Sequence, residues 1–402
     1  WQGRFSDALQ AAARQTSHGY LPAGLPQLRT ALAEHLTARG LPTEEEQILI
    51  TSGAQQAIYL AAAAWLQPGD AVLVERPGYA GALEVFRTLG ARAVGVPGDS
   101  EGPCPAAVSD LAGRHRAKLL FLTPTCNNPT GRTLSQARRR HLAEAARRSG
   151  LLIIEDAALQ DLYFASEAAG GQAPPGYLAE RCSTHEVVLV GSLSKLFWGG
   201  LRIGWLRAKA PVVRSLSRLK AATDLGSPVL NQLLGVELLA DHHEIRARRR
   251  AELSALHDLA SGLITELIPE WRPSPCSGGL ALWVSLPEAD AVEFAQTALG
   301  HGVAVVPGPI FDAAGEFRDH LRVSFAVEPD ELRLGIERLA TAWRSYRRGQ
   351  RAAAPSGAGQ PPAFPWRPFA ARHTVGTPQA MDSGAGLVHA PQPVDESPGG
   401  AR

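Results

Sequence analysis

Charge of one sign, paired cysteines and long apolar runs are all scarce in this chain of 402 residues. Its 40 basic and 39 acidic residues leave a formal net charge of +1, so no overall field attracts the chain to nucleic acid or to a membrane. The longest near-continuous apolar stretch, residues 57–66, is shorter than the roughly 20 residues that a membrane-spanning helix needs. The sequence therefore predicts a soluble globular protein with no membrane partner.

The chain has four cysteines, which are Cys104, Cys126, Cys182 and Cys276. They lie far apart and form no Cys-x-x-Cys pair, which argues against a zinc site or a disulfide framework and favours a reducing compartment. We therefore expect a cytoplasmic protein without a bound metal. No secretory signal peptide begins the chain. Because the chain starts at Trp1 and its only methionine is Met381, we expect its natural N-terminus to lie further upstream.

Motifs of other enzyme classes are missing. Neither G-x-G-x-x-G nor G-x-x-x-x-G-K-[ST] occurs, so dinucleotide and P-loop sites have no support. Ser192-x-x-Lys195 matches the S-x-x-K motif of serine acyltransferases, but the accompanying S-D-N and K-T-G motifs are absent. The sequence therefore disfavours that chemistry as well.

Short apolar runs recur along the first half of the chain with helical stretches between most of them. Seven such runs predict strands, at residues 48–50, 72–74, 93–96, 119–122, 151–154, 187–190 and 203–206. Near-continuous apolar strands that alternate with helices indicate an α/β protein with a mostly parallel sheet covered on both faces. Long helices and three later strands, at 280–284, 303–306 and 321–325, predict a second, smaller α+β domain.

These patterns predict four segments. Residues 1–39 form an arm or part of the small domain, residues 40–225 the large domain, and residues 226–348 the small domain. Residues 349–402 are rich in proline and glycine without an apolar period, so we expect a disordered tail.

One helix is predicted in detail, from a cap at Ser135 to Gly150, with Leu142, Ala145 and Ala146 facing inward. Its arginines are expected on a solvated outer face, and these are Arg138, Arg139, Arg140, Arg147 and Arg148. A second basic cluster lies in a helical pattern that continues to Ile264, and we interpret it in the same way. Its members are Arg246, Arg248, Arg249 and Arg250.

Lys195 carries the most informative chemistry of the chain. It follows the apolar run 187–190 and a Gly/Ser turn, a position where strands open onto a pocket. A primary amine there suits a Schiff base with pyridoxal 5'-phosphate (PLP), which needs an amine for its aldehyde and a clamp for its phosphate. An ordinary surface lysine after a strand is the alternative.

A phosphate clamp is predicted from two segments. Gly53, Ala54 and Gln55 open an Ala-rich helix, whose N-terminal N–H groups and macrodipole favour an anion, although many α/β turns look similar. Two hydroxyls and a guanidinium near Lys195 complete the set, and these are Ser192, Ser194 and Arg202.

Four further side chains follow or lie within predicted strands. Tyr79 could stack on a flat cofactor or belong to the rim, and Asn128 could donate to a cofactor oxygen or serve only an Asn-Pro turn. Asp156 could bind a protonated ring nitrogen or cap a helix. Arg322, in an otherwise apolar run, could bind a substrate carboxylate or form a structural salt bridge.

With these segments in this order, the chain resembles the fold-type-I PLP enzymes of the class I/II aminotransferases from about Tyr20 to Ala342. The resemblance implies PLP held by Lys195, with Asp156 on the pyridine nitrogen, Asn128 on the ring hydroxyl and Tyr79 stacked on the ring. It implies that six residues hold the phosphate: Gly53, Ala54, Gln55, Ser192, Ser194 and Arg202. It also implies Arg322 on the substrate carboxylate, with Asn128 and Gly24 as further substrate-binding candidates.

Three segments look most like the MocR branch of GntR regulators, in which a winged helix-turn-helix precedes an aminotransferase-like domain. They are Tyr20-x-x-x-Gly24-Leu25-Pro26-x-Leu28-Arg29, residues 51–56 and residues 197–205. The resemblance implies a homodimer in which Gly19-Tyr20 reaches the partner's site. Nucleic acid would be a partner only through a helix-turn-helix domain outside this chain.

The chain departs from the family pattern after Asp156. Many members carry a tyrosine two or three residues later, where this chain has Ala158 and Leu159. PLP binding should survive this change, but turnover should be slow. Two functions therefore stay open: an aminotransferase acting on an amino acid and a 2-oxo acid, or the amino-acid-sensing domain of a transcriptional regulator.

Overall fold

The computed structural model describes residues 2–164, 175–180 and 187–353. In chain order, the strands of this part are β1 (Ile48–Thr51), β2 (Ala71–Glu75), β3 (Arg92–Val96), β4 (Gly98–Asp99), β5 (Gly102–Pro103), β6 (Leu119–Leu122), β7 (Leu152–Asp156), β8 (Val187–Ser192), β9 (Gly204–Arg207), β10 (Arg272–Pro273), β11 (Ala281–Ser285), β12 (Val306–Pro307) and β13 (His320–Ser324).

The α-helices of the same part are α1 (Gln2–Ala13), α2 (Pro26–Ala38), α3 (Ala54–Trp65), α4 (Ala80–Thr88), α5 (Pro105–His115), α6 (Gln136–Arg148), α7 (Ala210–Asp224), α8 (Val229–Ala240), α9 (His242–Leu267), α10 (Ala291–Gly300) and α11 (Pro329–Ala353). No helix of the described residues combines the length and apolar character needed to cross a membrane.

The large sheet has the strand order β1-β9-β8-β7-β6-β2-β3. β9 runs antiparallel to both of its neighbours, and the other pairings are parallel. The seven predicted strands and the α/β fold class are thereby confirmed. β1, β2, β6 and β7 are buried along their whole length, as expected for strands covered by helices on both faces.

Successive residues of each central strand pack into different cores. Val72 and Val74 of β2 join the side chains of α3 and α4, whereas Leu73 joins those of α5 and α6 on the opposite face. This alternation is the period of two that a pleated strand imposes. Because β2, β6, β7 and β8 are parallel neighbours, their carboxyl ends meet at one edge of the sheet.

A second sheet has the order β10-β11-β13-β12 and is antiparallel throughout. It packs with α9, α10 and α11 around its own apolar cluster, which agrees with the expected α+β segment. The predicted strand 303–306 meets β12 only at Val306, because Val303 instead donates its N–H to Ala298 O at 3.0 Å and closes the end of α10.

The segment boundaries at 39, 225 and 348 stay predictions. Residues up to 352 form one compact unit, and α11 ends at Ala353, inside the range predicted for the tail. Residues 354–402 and Cys182 lie outside the described part.

The predicted cap of α6 is present, since Ser135 Oγ accepts the N–H of Arg138 at 3.1 Å. The outward placement of Arg139 was wrong, because this side chain is 0% exposed. Its guanidinium donates to Leu134 O at 3.1 Å, Pro124 O at 2.8 Å and Thr125 Oγ1 at 2.7 Å. Loop oxygens that lie buried against α6 and can accept further hydrogen bonds thus explain why this arginine turns inward.

The second basic cluster is only partly solvated. Arg248 is exposed, but Arg246 lies 3.9 Å from Asp161 Oδ1, and Arg250 Nη2 is buried without a hydrogen-bond partner among the described residues. The helical pattern was correct, and packing of α9 against the segment after β7 turns two of its arginines inward.

Candidate active site

A pocket opens at the carboxyl edge of the large sheet, as expected for an α/β fold. Eleven of the twelve predicted site residues line it together, namely Gly53, Ala54, Gln55, Tyr79, Asn128, Asp156, Ser192, Ser194, Lys195, Arg202 and Arg322. Gly24 does not line this pocket. It is buried at φ +99°, and a Cβ there would collide with Ile50.

Lys195 lies just beyond β8, in the turn that follows Ser192. Burial lowers the pKa of its amine, and the positive charges of Arg322 and Arg202 act in the same direction, while Asp156 opposes them. A lowered pKa increases the fraction of neutral amine, which is the form able to attack a carbonyl carbon.

Asp156 ends β7 and is 5% exposed. Burial raises the pKa of its carboxyl group to about 6, against the opposing effects of the Ala158 N–H and of Lys195. Its Oδ1 accepts that N–H at 2.9 Å, so the carboxylate also stabilises the turn after the strand. The second oxygen leaves acceptor capacity for a cation in the pocket.

Tyr79 precedes α4, and its ring is held from the hydroxyl end. The hydroxyl donates to Gln55 Oε1 at 3.0 Å, and Gln55 Nε2 donates to Gly81 O at 2.7 Å. Burial raises the pKa of this phenol, so it stays protonated and keeps donating. The ring is therefore fixed in one orientation beside the pocket.

The residues predicted to clamp a phosphate lie together at the N-terminus of α3. Gly53 precedes this helix at φ 125°, and a Cβ on it would lie 3.0 Å from Arg202 Nη2. Only a glycine leaves this space open in that backbone conformation. Ser194 Oγ is buried and lacks a hydrogen-bond partner among the described residues, while the Ser194 N–H donates to Ser192 Oγ at 3.1 Å.

Arg322 lies on β13, where burial lowers the pKa of its guanidinium. Its Nε is buried without a hydrogen-bond partner among the described residues, and none of the ion pairs in that part of the chain includes it. The alternative of a structural salt bridge therefore finds no support within the described chain. A guanidinium with a buried, unbonded Nε and no ion-pair partner in the described chain favours an anionic ligand.

The chain matches the aminotransferase class I and II family over residues 4–339. It therefore belongs to that family.

Relatives of two kinds are similar to it. The 2-aminoadipate transaminase of Thermus thermophilus is 33% identical over 348 residues, which cover 84% of this chain and 85% of that protein. The HTH-type transcriptional regulator YdfD of Bacillus subtilis is 31% identical over 349 residues, which cover 84% of this chain and 68% of that protein.

Among solved structures, LysN, the alpha-aminoadipate aminotransferase of Thermus thermophilus in complex with N-(5'-phosphopyridoxyl)-L-leucine, superposes with a TM-score of 0.79. It is 31% identical, and the match covers 86% of this chain and 89% of that one. The fold is accordingly the fold-type-I aminotransferase fold, and the cofactor of this family is PLP.

The polar atoms that line the pocket of this class I/II aminotransferase suit PLP, the cofactor of its family. Asn128 Oδ1, Thr123 Oγ1 and Ser194 Oγ are buried without hydrogen-bond partners among the described residues, and all three residues line the pocket. Buried polar atoms are ordinarily satisfied, so these atoms indicate a polar ligand. An amine, a carboxyl group and a guanidinium beside a helix N-terminus match the aldehyde, the ring nitrogen and the phosphate of PLP.

Sequence reasoning missed one wall of the pocket, formed by residues 278–281. The Ser277 N–H and hydroxyl both donate to Gly131 O at 2.9 Å, which attaches this wall to the turn that contains Asn128. A signal was present, since Gly278-Gly279 precedes an apolar strand and paired glycines there indicate close backbone approach. A side chain at Gly278 would collide with Leu162 O.

Proposed function

We propose that this chain transfers an amino group between an amino acid and a 2-oxo acid, with Lys195 as the residue that binds PLP covalently. The observation that supports this most directly is the position of the Lys195 amine, whose pKa is lowered, in one pocket with Asp156 and Arg202. The bound cofactor supplies an electron sink for the charge that develops at the substrate α-carbon.

Lys195 and the residues around it have separate roles in proton transfer and in binding the cofactor. Lys195 Nζ accepts the proton from the substrate α-carbon, a task that suits an amine with a lowered pKa. The Asp156 carboxylate holds a proton on the ring nitrogen, the Tyr79 ring covers one face of the cofactor, and the Asn128 amide donates to the ring oxygen. Arg202 and the N-terminus of α3 bind the phosphate.

Arg322 is proposed to bind the substrate α-carboxylate through a bidentate pair. Its buried Nε without a partner among the described residues is the supporting observation. A planar guanidinium matches a carboxylate with two parallel hydrogen bonds, and such a pair orients the α-carbon as well as binding it.

A homodimer is also proposed. Large apolar side chains are exposed at Tyr20, Trp198 and Leu225, with exposures of 63%, 55% and 54%. Trp198 is three residues from Lys195, so a partner that covers it would lie close to the site. The approach of Gly19-Tyr20 to a partner's pocket and the cytoplasmic location stay predictions.

A sensing role is the second candidate, favoured by the similarity to the regulator YdfD and by the pocket itself. Ala158 and Leu159 both line it, so neither position offers a hydroxyl to the cofactor. In this alternative, amino-acid binding changes conformation with little turnover.

One experiment tests both candidates. The PLP-loaded protein is mixed with a panel of amino acids while the cofactor spectrum and the release of 2-oxo acid are followed together. Borohydride reduction and peptide mapping should place the pyridoxyl group on Lys195. A label on another lysine, or none, would contradict the central assignment.

A further inference from the structure

Glu75 is a buried carboxylate at the end of β2, 4% exposed, that the proposed chemistry does not use. Its Oε2 accepts two hydrogen bonds from the turn after β6. Thr123 N donates at 2.6 Å and Asn127 Nδ2 at 3.1 Å. Both donors belong to residues that line the pocket. One oxygen atom thus connects β2 to the polar side of the site.

Asn127 forms further hydrogen bonds that stabilise the turn of residues 123–131. Its Oδ1 accepts the Thr130 hydroxyl at 2.8 Å and the Thr130 N–H at 3.3 Å. Its own backbone donates to Arg132 O at 2.8 Å and accepts from the Gly131 N–H at 2.6 Å. The turn is therefore fixed on both sides of Asn128, whose side chain lines the pocket.

Glu155 provides the comparison that separates this role from general support of the sheet. It lies in the neighbouring β7, is 1% exposed, and accepts Leu178 N at 3.0 Å and Ala179 N at 3.1 Å. Burial raises the pKa of both carboxyl groups to about 7. Neither of these two donors lines the pocket. The two residues match in type, burial and number of accepted hydrogen bonds and differ in what they hold, and Glu155 Oε1 also lies 4.0 Å from Arg139 Nη1.

We propose that Glu75 is a positioning residue that acts through Asn127 to hold the 123–131 turn, so that the Asn128 amide stays directed at the ring oxygen of PLP. The proposal rests on the cofactor role of Asn128 proposed above. Orienting a donor before the ligand arrives lowers the cost of ordering it on binding. Losing Glu75 should therefore change the affinity for PLP and the absorption of the bound cofactor, and not only the stability of the fold.

The test uses Glu75→Gln and Glu75→Leu in the full chain. Both variants lack the charge, whereas the Gln Oε1 can still accept the two hydrogen bonds, so their difference isolates those bonds. The measurements are the Kd for PLP and the pH midpoint of the absorption change of the bound cofactor. Glu155→Gln and Glu155→Leu are the matched controls, and thermal unfolding of all four reports stability.

We expect Glu75→Gln to bind PLP within about threefold of the unsubstituted chain, and Glu75→Leu to bind about tenfold more weakly, the effect of one lost hydrogen bond. The absorption midpoint of Glu75→Leu should lie higher than that of Glu75→Gln. Once the neighbouring nitrogen has lost its proton, the negative charge of the ring oxygen is no longer shared with that proton. A hydrogen bond donated to the ring oxygen stabilises this charge, so it lowers the pH midpoint. Losing that donor raises the midpoint. Glu155→Leu should lower stability without moving the midpoint.

Asn128→Ala tests the cofactor role of Asn128 separately from the positioning role of Glu75. If this variant leaves the midpoint unchanged, the cofactor role of Asn128 fails. If it raises the midpoint and Glu75→Leu matches Glu75→Gln, the positioning role is refuted while the proposed function stands. Equal midpoint changes in Glu75→Leu and Glu155→Leu would also refute it. If Glu75→Leu does not fold, Asn127→Ala removes the bond between the two residues while Glu75 stays intact. A higher pH midpoint in Asn127→Ala then supports the positioning role, and an unchanged midpoint refutes it.

Discussion

Replacing Arg322 with Leu should weaken amino-acid binding far more than PLP binding. The side chain carries a buried Nε without a partner among the described residues and takes part in no ion pair there, so its removal leaves no protein carboxylate unpaired. What is lost is a charge-assisted pair with the substrate alone. Such bonds are worth about 1.5–3 kcal/mol, which is on the order of tenfold to a hundredfold in affinity.

The assay is a spectral titration of the PLP-loaded protein with the best amino acid of the panel, alongside the Kd for PLP. Arg207→Leu is the matched control, since Arg207 Nε is also buried without a partner among the described residues, but the residue lies on β9 outside the pocket lining. The control should leave amino-acid affinity unchanged. Equal losses of affinity for PLP and for the amino acid in Arg322→Leu would show that Arg322 supports the structure and does not bind the substrate.

Three other results are expected. Lys195→Ala should abolish the borohydride-stable label and leave PLP held only noncovalently, which mass spectrometry of the reduced protein can check. With Ala158 and Leu159 in the pocket, amino acids should change the spectrum saturably while 2-oxo acid forms slowly, and turnover in the ordinary range of about 1–10³ per second would contradict this. Arg139→Met should lower the free energy of unfolding by about 3–5 kcal/mol, because it removes the guanidinium that donates to the buried Leu134 O and Thr125 Oγ1. Chemical denaturation measures that loss, and a change below about 1 kcal/mol would show that water replaces the guanidinium.

Local patterns were sufficient for the residues that follow strands. Lys195, Asp156 and Tyr79 each come at or just after the end of an apolar run, and the carboxyl ends of neighbouring parallel strands meet at one edge whatever the connecting helices do. Their convergence in one pocket could therefore be predicted from order along the chain. The helix cap at Ser135 could also be predicted from the sequence, since it depends on residues three positions apart.

Side chains whose partners are distant in sequence could not be predicted in this way. Arg139 turns inward because Pro124 and Thr125 leave oxygens buried against α6, and periodicity alone assigns it to the solvated face. The bond from Asn127 to Glu75 spans 52 positions, and that from Ser277 to Gly131 spans 146. The sequence by itself determined the strands of the large sheet, the edge at which they end and the place of Lys195 at that edge, because these follow from local burial and order. The tertiary structure alone decided which polar groups hold the turn and the far wall of the pocket, because their bonds exist only once separate segments pack together.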